Sequence, residues 1–223
     1  MERPRKVGLR TVGIAALAAS LGGDQAPASA GEGGGRATGG PTRPAAVAGS
    51  PTELIVQPDD LPLPFPLAQS DEPRPGNASA LYFRPDVLMA DTVPAGDLLG
   101  VMANLVLLPS PLAAADSFAT AAAEPDDVER DLAGKADGAV AVTPLGPAAV
   151  AGADKTSALR VAYRMQGVDV VEYRYRLLVA NAVASLIVTG RAGDSGDEPA
   201  ALAEQAATIA ANQVRRLRSA NRP

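Results

Sequence analysis

The chain has 223 residues, of which 20 are basic and 25 acidic, and its formal net charge is −5. It contains neither histidine nor cysteine. This composition excludes a disulfide, a thiolate nucleophile, a Ser-His-Asp triad and any metal site built on histidine or cysteine. Carboxylate chemistry, a Ser–Lys pair or an oxygen-only cation site is left. We therefore predict no cofactor and no transition-metal site.

Residues 1–30 are predicted to be a secretory signal peptide. Basic residues within 1–10 precede a short apolar run over 12–21, and small residues end the segment in "APASA" at 26–30. The apolar run is too short to cross a bilayer, which takes about 20 residues. The pattern predicts a mature protein without a transmembrane span that is secreted or held at the cell envelope. The alternative is an alanine-rich helix that opens a cytosolic domain.

Residues 31–52 are rich in Gly, Pro, Ala and Thr and have no apolar period, which predicts a flexible tether. A single α+β domain is expected over 53–223. Residues 1–50 hold six basic and three acidic residues, which leaves 14 basic and 22 acidic residues after them. This acidic balance, together with few aromatic residues, argues against nucleic acid as a partner.

The first half of the domain is predicted to contain strands and then a helix. A short strand over 53–57 leads into a proline-rich extended segment whose apolar side chains are candidate core plugs: Leu61, Leu63, Phe65 and Leu67. Strands follow over 80–84 and 97–109. Ser110 and Pro111 favour a helix start, so a helix is expected over 110–123, and a short helix lies within 124–138.

The second half repeats this order. Strands are predicted over 138–146, 157–166 and 171–190, the last with a turn in it, and a helix over 197–219. The buried stripe of that helix is predicted to be Leu202, Ala206, Ile209, Ala210, Val214 and Leu217. Strands followed by a helix, twice, predict an α+β fold: a mainly antiparallel sheet with helices packed on it. The pattern also allows an internal strand–strand–helix repeat.

Two hairpin loops set the predicted register. A two-residue loop at Ala180-Asn181 would place Val179 opposite Ala182 and Tyr173 opposite Val188. A three-residue loop over 167–169 would place Arg164 opposite Glu172. That second loop would also put Arg160 opposite Arg176, and Tyr163 opposite Tyr173 in the core.

Three stretches carry a resemblance: "DDLPLPF" at 59–65, "YRYRLLVANAVASLIVTG" at 173–190, and the alanine-rich C-terminal helix. Together they resemble small exported bacterial proteins of unknown function, including mycobacterial-type lipoproteins with a fold like that of the photosystem II extrinsic protein PsbP. The resemblance covers residues 54–219 and implies an α+β fold. The chain departs from the lipoprotein members because it lacks a lipid-anchor cysteine, and the resemblance implies no catalytic residues.

The candidate ligand-binding residues are four arginines on the predicted strands: Arg160, Arg164, Arg174 and Arg176. If they share one sheet face, their guanidinium groups suit phosphate or carboxylate groups. The alternative is a solvated face with Glu172 as an ionic partner. The acidic segment 124–131 and the loop 193–198 could hold a hard cation, but surface charge and helix capping explain them as well. A Ser–Lys hydrolase would need Lys135 or Lys155, and both lie in predicted loops.

Three functions follow from these observations. The first is a non-catalytic, exported module that binds an unknown ligand or partner protein at the cell envelope. The second is a carrier of an apolar ligand such as a lipid, held between the sheet and its helices. The third is a hydrolase that uses paired carboxylates. An apolar cavity of acyl-chain size would favour the carrier, and a filled core would favour the binding module.

Overall fold

A computed structural model describes residues 46–62, 65, 67–84, 93–120, 125–146, 150–193 and 200–222. The predicted signal peptide and most of the predicted tether lie outside these residues and stay predictions. The elements in chain order are β1 (Ala46–Val47), α1 (Pro51–Leu54), a 3-10 turn (Pro58–Asp60), β2 (Leu67–Asp71), β3 (Asn77–Phe83), β4 (Leu98–Leu107), α2 (Pro111–Thr120), α3 (Pro125–Ala133), β5 (Ala141–Leu145), β6 (Lys155–Met165), β7 (Val168–Val179), β8 (Ala182–Arg191), α4 (Ala200–Ser219) and β9 (Asn221–Arg222).

Seven strands form one antiparallel sheet in the order β2-β3-β4-β8-β7-β6-β5, and β1 pairs separately with β9. Helices pack on both faces of the large sheet. The predicted α+β class, with a mainly antiparallel sheet, is confirmed. Among the residues described, no helix has the length and apolar character needed to cross a membrane.

Helix α4 covers the first face of the sheet, which carries Tyr173, Tyr175 and Leu177 of β7. Its predicted apolar stripe is fully buried there. A Cβ placed on Gly190 would lie 2.4 Å from a methyl carbon of Leu202, so α4 rests directly on the backbone of β8. At this crossing the side chain of Leu202 fills the space between the sheet and α4.

The second face of the sheet is covered at two separate places. Ala114 and Phe118 of α2 form one apolar cluster with residues of β7 and β8. Val128 and Leu132 of α3 form another with residues of β6 and β7. The helix start at Ser110 is as predicted, because the Ser110 hydroxyl accepts a hydrogen bond from the Ala113 N–H at 3.1 Å. The two helices that end the proposed repeat units, α2 and α4, thus lie on opposite faces.

The folded domain begins before the predicted boundary at residue 53. Strand β1 pairs with β9 from Ala46 onward, and Val47 is buried. The predicted strand over 53–57 is also wrong, because α1 occupies part of it, with proline at its first position. The backbone after α1 pairs with a side chain: the Val56 N–H donates to Gln213 Oε1 at 2.6 Å, and Gln213 Nε2 donates to the Leu54 carbonyl at 2.9 Å.

The proline-rich segment supplies core side chains, as predicted for two of its four plugs. Leu61 and Phe65 are buried in the core of the first face. Leu63 and the side chain of Leu67 lie outside the described residues. Pro58–Asp60 forms a 3-10 turn rather than extended chain, since proline is tolerated in the first turn of a helix.

The β7–β8 hairpin has the predicted two-residue loop and register, with Val179 opposite Ala182 and Tyr173 opposite Val188. The predicted β6–β7 register is wrong. Its loop is Gln166-Gly167, at φ 52° and 82°, so β7 starts at Val168 and Arg164 lies opposite Asp169. Two consecutive positive φ angles are typical of a tight two-residue hairpin turn, which favours glycine at its second position. The observed β6–β7 pairing is shifted by three residues from the predicted pairing. Because the shift is odd, every β6 side chain lies on the opposite face, relative to β7, from the face that was predicted.

Candidate functional site

The four predicted arginines do not share one face. Arg160 lies opposite Tyr173 on the first face, and Arg164 lies on that same face, opposite Asp169. Arg174 and Arg176 point to the second face, where their partners on β6 are Leu159 and Ser157. The predicted like-charge contact between Arg160 and Arg176 is therefore wrong. A single anion site made by all four side chains is excluded by this register.

Arg164 is an exposed side chain near the β6–β7 turn. Its Nη2 donates to the Gly167 carbonyl at 3.0 Å, and its Nε lies 3.8 Å from an Asp169 carboxylate oxygen. The predicted cross-strand ion pair with Glu172 is wrong, because Glu172 belongs to the other face. These contacts keep Arg164 at the turn, away from the interior of either face.

Glu172 and Arg174 form a compensated ion pair on the second face. Glu172 is only 2% exposed. Its Oε2 accepts from Arg174 Nε at 2.8 Å and lies 2.7 Å from Arg174 Nη2, while its Oε1 accepts from the Tyr163 hydroxyl at 2.6 Å. Burial, followed by the negative charge of Glu172, raises the pKa of Tyr163 far above its ordinary value. The Tyr163 proton therefore stays in this cluster, and the charges of Glu172 and Arg174 cancel.

Arg176, two residues further along β7, has no such compensation. Its Nη2 donates to the Ser117 carbonyl at 2.9 Å, and its guanidinium carbon lies 5.7 Å from the centre of the Phe118 ring. Its Nε is buried without an acceptor, and no carboxylate of the described residues forms an ion pair with it. Burial lowers the pKa of the Arg176 guanidinium, although arginine stays protonated at neutral pH.

Arg176 also has a structural role. Ser117 lies in the last turn of α2, where backbone carbonyls lack partners within the helix. A guanidinium group there satisfies one carbonyl and interacts favourably with the negative end of the helix dipole. This contact uses only one of the five N–H donors, so most of the hydrogen-bonding capacity of Arg176 is left for a ligand.

A row of polar side chains crosses the second face at the level of Arg176. Ser157 and Ser185 lie directly opposite Arg176 on the neighbouring strands, Asn104 lies opposite Ser185, and Ser79 lies opposite Asn104. All five are half-buried. Apart from Arg176, none of their side chains makes a hydrogen bond within the described part of the chain. We call four consecutive members of this row, Asn104, Ser185, Arg176 and Ser157, the polar row.

The polar row lies between the areas that the two helices cover. Leu178 and Val183, on the α2 side, pack in the α2 cluster, and Leu159 and Val161 pack under α3. Neighbouring strands are about 4.8 Å apart, so four residues on four strands extend over about 14 Å. This is enough for a ligand that offers acceptors to several side chains at once.

The acidic segment forms the exposed side of α3. Arg130 pairs with Asp127 at 2.7 Å, and Lys135 pairs with Asp131 at 3.0 Å. Glu124 and most of the loop 193–198 lie outside the described residues. Among the residues that are described, no three carboxylates come together as a metal site would require. The second lysine candidate, Lys155, is exposed at the start of β6 rather than in a loop.

Sequence reasoning found Arg174 and Arg176 but missed the polar row. The register of β7 and β8 already implied that Ser185 lies opposite Arg176. Ser157 was missed because the wrong loop length at 166–169 placed Arg160 there instead. Reading Gln-Gly as a two-residue turn would have brought Ser157 beside Arg176.

Comparisons with known proteins give weak similarities. No protein-family model matches the chain, and no curated protein matches its sequence. The extracellular domain of PknH from Mycobacterium tuberculosis is similar over 64% of this chain and 64% of that domain, with 15% identity and a TM-score of 0.40. A STAR-related lipid transfer protein from Xanthomonas axonopodis is similar over 70% of this chain and 97% of that chain, with 10% identity and a TM-score of 0.23. The chain thus spans about two thirds of the PknH domain that it matches.

Proposed function

We propose that this protein is a non-catalytic binding module of the bacterial cell envelope, which holds an anionic ligand on the polar row. The observation that carries the proposal is that, in the described structure, Arg176 lacks both an acidic partner and a full set of hydrogen-bond acceptors. It is a half-buried cation without an acidic partner among the described residues, its Nε lacks an acceptor, and unpaired serine hydroxyls flank it on both neighbouring strands.

A bound carboxylate or phosphate group would satisfy these donors together. A guanidinium fork matches the oxygens of either group, and hydrogen bonds to a charged acceptor are stronger than neutral ones. The buried Nε would gain an acceptor, which removes the cost of leaving it unpaired. Serine hydroxyls on either side add neutral donors and leave the net charge of the site unchanged.

The close contact between α4 and the first face favours a binding module over a carrier. A carrier would hold an acyl chain between the sheet and α4, but the Leu202 side chain already contacts the β8 backbone there. The predicted export signal supports the cell-envelope location in this proposal. The absence of histidine and cysteine from the whole chain removes imidazole and thiolate catalysis.

Mass spectrometry of small molecules retained by the natively purified protein tests this function. The test variant is Ser157→Ala with Ser185→Ala, because these hydroxyls have no partner in the described structure and their loss leaves folding intact. The matched control is Arg164→Gln, an exposed arginine on the other face. We expect the native protein and the control to retain an anionic molecule at physiological salt. The serine variant should lose it, since each charge-assisted hydrogen bond contributes about 1.5–3 kcal/mol.

Two results would overturn the proposal. One is a native protein that retains no anionic molecule. The other is a ligand that the double serine variant retains as fully as the native protein does, while urea denaturation shows both proteins folded.

A further inference from the structure

The charges on the second face carry an inference about the ligand. Three ionised side chains lie in sequence on one face of β7: Glu172, Arg174 and Arg176. The first two are joined by two contacts below 3 Å, and the third has no acidic partner in the described part of the chain. The excess charge of the site is therefore +1, although it contains two arginines.

The Glu172–Arg174 pair is held in place by more than its own attraction. The Tyr163 hydroxyl donates to the second oxygen of Glu172, and Tyr163 is buried against the α3 cluster. A ligand that competed for Arg174 would leave Glu172 buried and unpaired, which costs several kcal/mol. Arg174 is thus unavailable, and a ligand meets the single cation Arg176.

From this arrangement we infer that the ligand group is a monoanion: a carboxylate or a phosphodiester, rather than a phosphomonoester or a pyrophosphate. A dianion would lose more hydration energy on entering a half-buried site, and its second charge would find no cation. Glu172 sets this preference, because it removes one of the two positive charges. The inference rests on the proposed function and adds the charge of the ligand to it.

Two matched pairs of probes distinguish the effect of ligand charge from the source of the ligand, which is either a free small molecule or a lipid headgroup. Diethyl phosphate and ethyl phosphate at pH 8 compare a soluble monoanion with a soluble dianion. Phosphatidylcholine vesicles that contain either phosphatidylglycerol or phosphatidic acid compare a phosphodiester with a phosphomonoester as lipid headgroups. Binding of the soluble diester alone indicates a free small ligand, and binding of phosphatidylglycerol vesicles at much higher affinity indicates a lipid headgroup.

For the native protein we expect the monoanionic probe to bind about tenfold more tightly than the dianionic probe of the same pair, because the hydration that the second charge loses outweighs its attraction to a single cation. Glu172→Gln releases Arg174 and raises the excess charge to +2, so the preference should reverse towards the dianion. The double variant Glu172→Gln with Arg174→Gln returns the excess charge to +1 and removes both buried charges. It should regain the monoanion preference, and it provides a test if the single variant fails to fold.

The two proposals fail in different ways. If the native protein binds no member of either pair and retains no anionic molecule on purification, the anion-binding function itself is wrong. If it binds the dianion as tightly as the monoanion, if a folded Glu172→Gln variant leaves the ratio unchanged, or if the double variant prefers the dianion, anion binding survives and the monoanion inference is overturned.

Discussion

Ala180 adopts a backbone conformation that is unfavourable for a residue with a Cβ atom. Its φ is 51°, in the left-handed region, while its N–H donates to an Asp154 carboxylate oxygen at 2.6 Å. The turn that joins β7 and β8 imposes this geometry because Val179 and Ala182 must pair. A side chain in the left-handed region costs about 1–2 kcal/mol, which glycine avoids.

Replacing Ala180 with glycine should raise the free energy of unfolding by about 0.5–1 kcal/mol. Relief of about 1–2 kcal/mol exceeds the entropic cost of glycine, about 0.5–1 kcal/mol. Urea denaturation measures the change. The control is Ala182→Gly, two residues away in a buried strand position, which should lower stability. Destabilisation by both changes would show that the strain at Ala180 is negligible.

The buried tyrosines predict how stability falls at high pH. Burial, and then the charge of Asp60, raises the pKa of Tyr82 to about 12, and burial raises that of Tyr175 to about 12. The unfolded chain titrates near 10, so folding favours the neutral phenols. Their contribution is complete below pH 10 and is lost between pH 10 and pH 12, at up to about 1.4 kcal/mol per tyrosine per pH unit.

The ultraviolet absorbance of tyrosinate measures whether the fold keeps these tyrosines protonated. The native protein should show little tyrosinate at pH 10.5, and the same protein in concentrated urea should show tyrosine more than half ionised. Equal ionisation in the two solutions would mean that Tyr82 and Tyr175 are not protected by the fold.

At the scale of elements, a buried glutamine joins α4 to the N-terminal segment. Gln213 is fully buried, and its amide pairs with the backbone of Leu54 and Val56 on both sides. Tyr82 adds a hydrogen bond to the Val56 carbonyl at 2.8 Å. In the described structure this segment is not part of a strand ladder, so side chains satisfy its buried backbone groups.

Gln213→Leu should lower the free energy of unfolding by about 2–4 kcal/mol. It leaves one buried N–H and one buried carbonyl without partners, at about 1–3 kcal/mol each, and the gain in apolar burial offsets only part of that cost. Thermal or urea unfolding measures the loss. Gln205→Leu is the control, because the buried Oε1 of Gln205 already lacks a partner and its removal should cost little. If both changes have the same effect, the pairing by Gln213 contributes nothing specific.

Element types were predictable where the apolar period was strong. The spacing of Leu202, Ile209 and Leu217 predicted α4 and its buried stripe, and alternation along β7 separated its tyrosines from its charged residues. Where hydrogen-bonding partners lie far apart in sequence, the apolar pattern did not predict the structure. Nothing local to 53–57 reveals that Gln213, on the last helix, will satisfy its backbone.

The candidate site was predictable only in part, for a reason of register. Arg174 and Arg176 share a face in any strand, so that much followed from period two. Which residues of β6 join them depended on one loop, and Gln166 entering the left-handed region shifted the pairing by three residues. The faces of Arg160 and Arg164 were exchanged as a result.

At the scale of the whole molecule, the two ends of the domain meet. Ala46 pairs with Arg222 and Val47 with Asn221, so the chain enters and leaves the domain at one place. The segment between β1 and the 3-10 turn adds four buried apolar side chains to the core: Val47, Leu54, Ile55 and Val56. The domain therefore needs this segment as part of its core.

A fragment over 46–223 should unfold at the same urea concentration as the full chain. A fragment over 57–223 should be unfolded or strongly destabilised. Each buried valine, leucine or isoleucine contributes about 1.5–3 kcal/mol, so the four side chains together approach the whole stability of a domain, about 5–15 kcal/mol. Circular dichroism with urea denaturation compares them. If the shorter fragment is as stable as the longer one, the N-terminal segment is not part of the core.

The central claim is that Arg176 and its row of polar neighbours bind a singly charged group. Titration of the ¹⁵N-labelled protein with diethyl phosphate, observed at the arginine Nε–H resonances, tests it most directly. The account predicts a progressive shift of the Arg176 resonance as its Nε gains an acceptor. Arg174, already bonded to Glu172, and Arg164, on the other face, should not move. An unchanged Arg176 resonance, or a larger shift at Arg164, would contradict the account.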